Sequence, residues 1–248
     1  MSGNWPASVR RIVLAEIDST NAEAARLAPS LSDPAWVLAL RQTRGRGRRG
    51  RDWHDPEGNF AASYVTRPSG PPQQVALYSF VAALALQDAL VMATGRRDAF
   101  ALKWPNDVLL HGGKLAGILL ESLGRGAQPG HLVIGIGVNL RACPPFDGTG
   151  LAPVSLMGEM GIALEADAFL DILAPAFAHW EARLQRDGFA PIRDAWLARA
   201  ARLGQPLTAR TVTETLEGIF EGIDATGALQ LRTSQGLRAI PAADVYFA

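Results

Sequence analysis

Apolar and polar residues through position 202 follow two periods, one of two residues and one near 3.6. Alternation or a short apolar run predicts strands at residues 10–17, 36–40, 59–65, 101–104, 115–121 and 132–139. The longer period predicts helices at 73–93, 163–185 and 191–202. A shorter helix is expected to begin at Thr20, because Thr20 and Glu23 have capping-box spacing, and to end at Pro29. This order indicates an α+β fold with a mixed pattern, in which the last two helices cover one face of the sheet.

The pattern changes after Leu203, where Gly204 and Pro206 precede a series of short alternating segments. Turn residues at 224–227 and 234–236 separate these segments, as in a small antiparallel sheet. A segment of about 45 residues buries only a small core, so it is expected to pack against the larger part. We therefore divide the chain into a domain at 1–203 and a small all-β domain at 204–248.

The composition fits a folded intracellular protein. Hydrophobic residues make up 48% of the 248 positions, which is enough for one large core. The 24 basic and 24 acidic residues balance, so the whole molecule has no net attraction for nucleic acid or an anionic membrane. The start lacks an apolar signal segment, Gln87 and Asp88 interrupt the longest apolar stretch, and Cys143 is the single cysteine. We expect a cytoplasmic protein that binds neither membrane nor nucleic acid.

The most unusual segment is RQTRGRGRRGRDW at 41–53, which has neither helix nor strand period and is a predicted loop. Glycines let its backbone approach a ligand, and guanidinium groups match phosphate or carboxylate oxygens. Gly45, Gly47 and Gly50 have dinucleotide-fingerprint spacing, but no helix follows them and position 65 is valine, so that reading fails. Taken alone, the loop leaves two other interpretations open: a solvated basic turn and an RNA-contacting segment.

Three further segments carry polar chemistry. The only two lysines, Lys103 and Lys114, lie within twelve residues of a chain that otherwise uses arginine, which indicates that an ammonium group is specifically needed there. KWPND at 103–107 places Asn106 and Asp107 at a strand end, and GIGVN at 135–139 ends a strand with Asn139. Ser19, Thr20 and Asn21 offer donors and acceptors at a helix start, where a plain helix cap is the alternative.

Together and in this order, these segments resemble the biotin protein ligase family. The matching residues are STN at 19–21, Gln42, GRGRRGR at 45–51, Trp53, KWPND at 103–107, KLAGIL at 114–119 and GIGVN at 135–139. GIFEGIDATGAL at 218–229 is similar to the SH3-like barrel that closes these ligases. The resemblance implies a mixed-sheet biotin/lipoate ligase-like catalytic domain followed by a small SH3-like β-barrel. It also implies the monofunctional type, without the N-terminal DNA-binding domain of the repressor members.

The activity implied by this resemblance is ATP- and Mg²⁺-dependent formation of biotinoyl-AMP from biotin. Transfer of biotin to a lysine of a biotin carboxyl carrier protein domain, in acetyl-CoA carboxylase or a related carboxylase, would follow. One alternative is a lipoate or octanoate protein ligase of the same fold, and the other is an arginine-rich RNA-binding module. The GRGRRGR loop favours biotin over lipoate, and the neutral net charge disfavours RNA. A homodimer is left open.

The resemblance also implies roles for individual residues. The catalytic residues are Lys114, Arg48 and Asp107, with Lys114 placed between the biotin carboxylate and the α-phosphate. The biotin-binding residues are Ser19, Thr20, Asn21, Gln42, Arg46, Gly47, Arg48 and Lys114. The ATP-binding residues are Arg46, Arg48, Arg51, Trp53, Lys103, Asn106 and Asn139, and Asp107 is a candidate metal ligand and base. The loop is expected to be mobile when empty and ordered by ligand.

Overall fold

The computed structural model describes residues 5–68, 72–124, 130–146, 148 and 150–247. Its first nine strands are β1 Arg10–Leu14, β2 Ala35–Ala39, β3 Gly45–Arg46, β4 Asp52–Trp53, β5 Phe60–Thr66, β6 Phe100–Lys103, β7 Asp107–Leu110, β8 Gly113–Leu123 and β9 His131–Val138. Seven of them form one sheet in the order β1-β2-β5-β9-β8-β7-β6. Only β1 and β2 pair in parallel, so the sheet is mixed, as predicted.

Within the described residues, six α-helices accompany the sheet. They are α1 Thr20–Leu27, α2 Pro72–Val75, α3 Tyr78–Thr94, α4 Leu156–Met160, α5 Ala166–Asp187 and α6 Ala190–Leu197. The predicted helix at 73–93 is therefore two helices, and the second is followed by the C-cap Gly95, whose φ of 71° suits a residue without a side chain. The predicted strand at 10–17 ends at Leu14, and Ile17 instead forms an isolated bridge with Gln42.

The cap of α1 differs from the predicted capping box. Ser19, not Thr20, is the N-cap, since its Oγ accepts from the Ala22 N–H at 3.4 Å. Glu23 forms an ion pair with Arg26 at 2.6 Å instead of reaching back to the cap. The hydroxyl of Thr20 is thereby released from capping and turns toward the sheet.

One face of the large sheet carries the main core. Helix α3 lies on this face, and α5 packs beside it, so the covering helices are α3 and α5 where α5 and α6 were predicted. Trp36 and Tyr64 pack with Phe177 of α5, and the Tyr64 and Phe177 ring centroids are 4.6 Å apart. The opposite face holds α1 against β5 and β9 and leaves the middle of β8 and β9 open.

The remaining strands form a five-stranded antiparallel sheet in the order β13-β12-β11-β10-β14. They are β10 Pro206–Arg210, β11 Thr215–Ile223, β12 Leu229–Thr233, β13 Gly236–Ile240 and β14 Asp244–Phe247. Leu207 and Phe220 belong to the main core, and Trp104 Nε1 donates to Gly227 O at 3.0 Å. The small sheet therefore packs against the larger part, as expected. None of the described helices has both the length and the apolar character to cross a membrane.

Candidate active site

A cavity of about 360 Å³ lies on the open face of the large sheet. Its walls are the start of α1, the loop at 41–53, the turn between β6 and β7, and β14 of the small sheet. All of the residues that were predicted from the sequence line it, namely Ser19, Thr20, Asn21, Gln42, Arg46, Gly47, Arg48, Arg51, Trp53, Lys103, Asn106, Asp107, Lys114 and Asn139. Tertiary structure thus brings five separate segments into one site.

One end of the cavity is a buried polar pocket at the start of α1. Gln42 Oε1 accepts hydrogen bonds from the backbone N–H of Thr20 at 2.9 Å and from its hydroxyl at 3.2 Å. Ser63 Oγ lies 2.8 Å from Thr20 Oγ1 and 2.6 Å from Asn21 Oδ1. Ser63 was missed from the sequence, although it is the one residue with a polar aliphatic side chain inside the apolar run FAASYV of β5. Such a pocket can satisfy a ligand head that has both donors and acceptors.

Glycines form the floor beside this pocket. A Cβ atom at Gly137 would lie 2.5 Å from the Trp53 ring, and one at Gly117 would lie 3.2 Å from it. A Cβ atom at Gly135 would clash with Asn21 Oδ1. Gly117, Gly135 and Gly137 therefore let the indole and the amide lie directly on β8 and β9. This is the physical role of the glycines in GIGVN.

The other end of the cavity is cationic. Asp107 lies between the two lysines, with Lys114 Nζ at 2.8 Å from Oδ1 and Lys103 Nζ at 3.7 Å from Oδ2. Lys103 is only 9% exposed, and this burial lowers the pKa of its ammonium group, partly offset by Asp107. Lys114 lies 5.9 Å from the centroid of Trp53. The paired lysines can stabilise an anion that enters from the cavity.

The arginine loop, residues 41–53, forms the roof. It was predicted as irregular, and the structure adds a short hairpin, β3 with β4, around one 3₁₀ turn. Arg48 points inward, where its Nη1 donates to Asn106 Oδ1 at 3.1 Å and burial lowers its pKa. Arg49 and Arg51 both reach Asp244, at 2.6 and 3.0 Å.

Residues of β14 were missed from the sequence. Asp244, Val245, Tyr246 and Phe247 line the cavity, and Lys103 Nζ lies 5.6 Å from the centroid of Phe247. No signal near DVYF marks it as part of a site, because it follows Lys114 by more than a hundred residues and approaches only through the docking of the small sheet.

Asp107 was a candidate metal ligand. Its carboxylate is engaged by Lys103 and Lys114, and the described part of the chain contains no group of three acidic, His or Cys side chains that could hold a metal. Two ammonium contacts make Asp107 a poor Mg²⁺ ligand, so Mg²⁺ that accompanies ATP would be held mainly by phosphate oxygens and water. We assign no step to a protein-bound metal.

The fold and the site define a class of protein. A mixed sheet carries a glycine floor with a polar pocket at one end and paired lysines at the other, under an arginine loop and beside a small antiparallel sheet. The chain belongs to the biotin/lipoate A/B protein ligase family, whose model matches residues 13–139. The model of the biotin protein ligase C-terminal domain matches residues 203–248.

Individual relatives narrow this class. The chain is 58% identical over 238 residues to a biotin--[acetyl-CoA-carboxylase] ligase of Paracoccus denitrificans, covering 95% of this chain and 99% of the relative. It is 33% identical to the bifunctional ligase/repressor BirA of Bacillus subtilis, covering 84% of this chain and 65% of that protein. The biotin protein ligase of Aquifex aeolicus, solved in complex with biotin and ATP, superposes with a TM-score of 0.82 over 96% of this chain and 99% of that one. At 24% identity this last likeness shows the fold alone.

Proposed function

We propose that this chain is a biotin--[acetyl-CoA-carboxylase] ligase, which uses ATP to join biotin to a lysine of a biotin carboxyl carrier protein domain. The observation that supports it most directly is a single cavity that joins a buried polar pocket to a cluster of cationic side chains. The name of the Paracoccus relative, which aligns along almost its whole length, gives the same activity.

The polar pocket supports biotin over a simple aliphatic acid. Biotin carries a ureido ring with one carbonyl and two N–H groups, which lose their water on burial and need partners in the protein. Thr20, Asn21 and Gln42 supply hydroxyl and amide groups at this end of the cavity, and Ser63 supports them from behind through its contacts with Thr20 and Asn21. Lipoate and octanoate have no ureido group, so the hydrogen-bonding positions that these side chains present to the cavity would stay unfilled, which is costly.

In the first half-reaction, a biotin carboxylate oxygen attacks the α-phosphorus of ATP and pyrophosphate leaves. Charge accumulates where the carboxylate meets the phosphate, so cations held there stabilise the transition state. Lys114 is proposed for this position, because a compact ammonium group fits between two anions. Arg46, Arg48, Arg51 and Lys103 are proposed to contact the remaining phosphate oxygens, with Trp53, Asn106 and Asn139 lining the nucleotide site.

In the second half-reaction, the acceptor lysine amine attacks the carbonyl carbon of biotinoyl-AMP, AMP leaves, and the nitrogen loses a proton. Asp107 is a candidate base, but its contacts with both lysines favour a different role, that of holding Lys114 in place. Asp107→Asn separates the two roles in single-turnover measurements. Equal slowing of adenylate formation and transfer supports the holding role, whereas slowing of transfer alone supports the base.

An RNA-binding role is disfavoured by the contacts of the arginine loop. Arg48 points into the cavity toward Asn106, and Arg49 and Arg51 pair with Asp244. These guanidinium groups therefore lie at the cavity, where a bound nucleotide is expected, and the neutral net charge gives RNA no further attraction. A carrier protein domain is therefore the proposed macromolecular partner, and a cytoplasmic location agrees with the single cysteine.

The test is exchange of labelled pyrophosphate into ATP, run with biotin and then with lipoate. We expect biotin-dependent exchange, with lipoate giving none above background. Lys114→Ala should reduce the exchange rate about 100-fold or more, the scale of one lost transition-state contact. Lipoate-dependent exchange, or full activity of Lys114→Ala, would overturn the proposal.

A further inference from the structure

A hydrogen-bonded chain of side chains connects the polar pocket to a carboxylate behind it. Glu121 lies on β8 and, among the described residues, is not one that lines the cavity. Its Oε2 accepts a hydrogen bond from Asn21 Nδ2 at 2.6 Å. Asn21 does line the cavity and is only 4% exposed. Glu121 therefore contacts the pocket from the side away from the ligand.

The carboxylate decides which way the Asn21 amide points. The two ends of an asparagine amide have nearly the same shape, so hydrogen-bond partners determine their orientation. The Glu121 oxygen accepts the hydrogen bond, so the amide nitrogen of Asn21 has to face Glu121. Asn21 Oδ1 then faces Ser63, whose Oγ lies 2.6 Å away, over the space left by Gly135.

The same reasoning gives the polarity of the whole pocket. Gln42 Oε1 accepts hydrogen bonds from both the N–H and the hydroxyl of Thr20. The Thr20 hydroxyl proton is therefore already used, and the amide nitrogen of Gln42 is the group that can donate to a ligand. Ser63 has one proton for two nearby acceptors, Thr20 Oγ1 and Asn21 Oδ1. The pocket thus combines acceptors on Thr20 and Asn21 with a donor on Gln42.

We propose that Glu121 is a positioning residue that holds the Asn21 amide so that the pocket presents acceptors to the N–H groups of a cyclic urea. This inference rests on the proposed function and adds a residue outside the cavity that determines specificity for the ligand head. Without the carboxylate, Asn21 can turn over and present a donor where the ligand's N–H group needs an acceptor. The loss falls on biotin binding and not on the chemical step, because the ureido ring lies at the far end of biotin from its reacting carboxylate.

Steady-state pyrophosphate exchange with Glu121→Leu and Glu121→Gln tests this role. Leucine should raise the KM for biotin about ten- to 100-fold, the range for an unsatisfied buried polar group, with kcat and the KM for ATP within about twofold. Glutamine can still accept from Asn21 through Oε1, so its KM should stay within about threefold of wild type. Glu217→Leu, at an exposed strand position of the small sheet, is the matched control and should change nothing.

A ligand comparison shows whether the effect passes through the N–H groups. The probe is a cyclic carbamate analogue of biotin, in which oxygen replaces one ureido N–H, and binding is measured by calorimetry. Wild type should bind the analogue at least about tenfold more weakly than biotin, whereas Glu121→Leu should bind the two within about threefold of each other. If Glu121→Leu does not fold, Glu121→Thr suits a strand, is too short to reach Asn21, and replaces it.

The outcomes are distinct. Equal weakening of biotin and analogue by the Glu121 substitution, or a glutamine variant as impaired as leucine, would overturn the positioning role while leaving the ligase activity intact. Wild-type protein that neither binds biotin nor exchanges pyrophosphate with it would overturn the proposed function itself.

Discussion

Lys114 and Asp107 are separated by seven positions in the sequence, yet their charged groups lie 2.8 Å apart. Strands β7 and β8 pair so that Asp107 lies opposite Gly117, and a register shift at Val108 and Leu109 brings Lys114 toward the carboxylate. The residue types were predictable from the KWPND and KLAGIL motifs. Their exact pairing was not, because one irregular position in a hairpin changes which side chains meet.

At the same scale, the glycine floor makes a direct prediction. Gly137→Ala places a methyl group 2.5 Å from the Trp53 ring, so the indole has to move off β9. We expect a loss of about 1–3 kcal/mol in the free energy of unfolding, as for overpacking, and a severalfold or larger fall in biotin-dependent exchange.

Chemical denaturation and pyrophosphate exchange measure the two effects of Gly137→Ala. Gly222→Ala is the control, since the nearest atom to its new Cβ would be 3.6 Å away, an ordinary contact. Wild-type exchange kinetics in Gly137→Ala would show that close packing of the Trp53 ring on β9 is not required for activity.

The arginine loop shows what an element adds to its residues. Two of its arginines share one carboxylate, Asp244, which is itself 20% exposed and lies on the last strand. Partly exposed ion pairs each contribute up to about 1 kcal/mol, so together they change the fraction of open loop without deciding the fold. The two ion pairs of Asp244 therefore hold the loop against the small sheet.

Asp244→Asn is expected to weaken the attachment of the loop to the small sheet. Trypsin cleavage within residues 44–51 should become about three- to tenfold faster, while the melting temperature changes little, because only the local opening equilibrium shifts. Glu221→Gln removes an ion pair with Arg232 on the same small sheet and serves as the control. Unchanged cleavage in Asp244→Asn would contradict the role of Asp244 in holding the loop. If biotin and ATP do not protect the wild-type loop from cleavage, the loop is not ordered by ligand.

A second element-scale prediction concerns Glu181 on α5. Burial raises the pKa of this carboxyl above its ordinary value of 4.5, although it accepts a hydrogen bond from the Tyr64 hydroxyl at 3.0 Å. A raised folded-state pKa means that the stability contributed by the protonated form is complete below about 4.5 and is lost as pH rises through the folded-state value.

Glu181→Gln should therefore be more stable than wild type at neutral pH, because glutamine can accept from Tyr64 without carrying a buried charge. The difference in melting temperature should grow as the pH rises from 4.5 toward neutral, because the wild-type carboxyl ionises only above its ordinary pKa. Thermal melts across this range measure it, with Glu217→Gln as an exposed control. A constant or shrinking difference would refute the linkage.

For the whole molecule, the lysine count has a chemical consequence. Lys103 and Lys114 are the only lysines of the sequence, Lys103 is buried, and both form ion pairs with Asp107. An amine has to be free and unprotonated to attack an acyl adenylate, so we expect little self-biotinylation even when biotinoyl-AMP is released. After incubation with biotin and ATP, intact-mass spectrometry should show that most of the protein is unmodified, whereas an added lysine-containing bystander protein is labelled. Extensive labelling of Lys114 would contradict its enclosed role.

Local information in the sequence determined much of this protein. Periodicity located six of the seven strands of the large sheet and the turns of the small one. It located the helices apart from α4 and the break before Tyr78. Residue chemistry singled out the glycine, arginine and lysine side chains and the polar residues at strand ends and at the start of α1, whereas Gln42 and Trp53 came from the family resemblance; all of them line the cavity.

The tertiary structure alone decided which distant groups meet. Ser63, Glu121 and Asp244 join the site from β5, β8 and β14, and only the apolar run around Ser63 gives any local signal for them. In the tertiary structure Ser19 is the N-cap of α1, so the Thr20 hydroxyl is available to the pocket. Helix α3, and not α6, covers the sheet together with α5. The physical reason is that strand order and the docking of the small sheet depend on burying apolar surface across the whole chain, which no local pattern encodes.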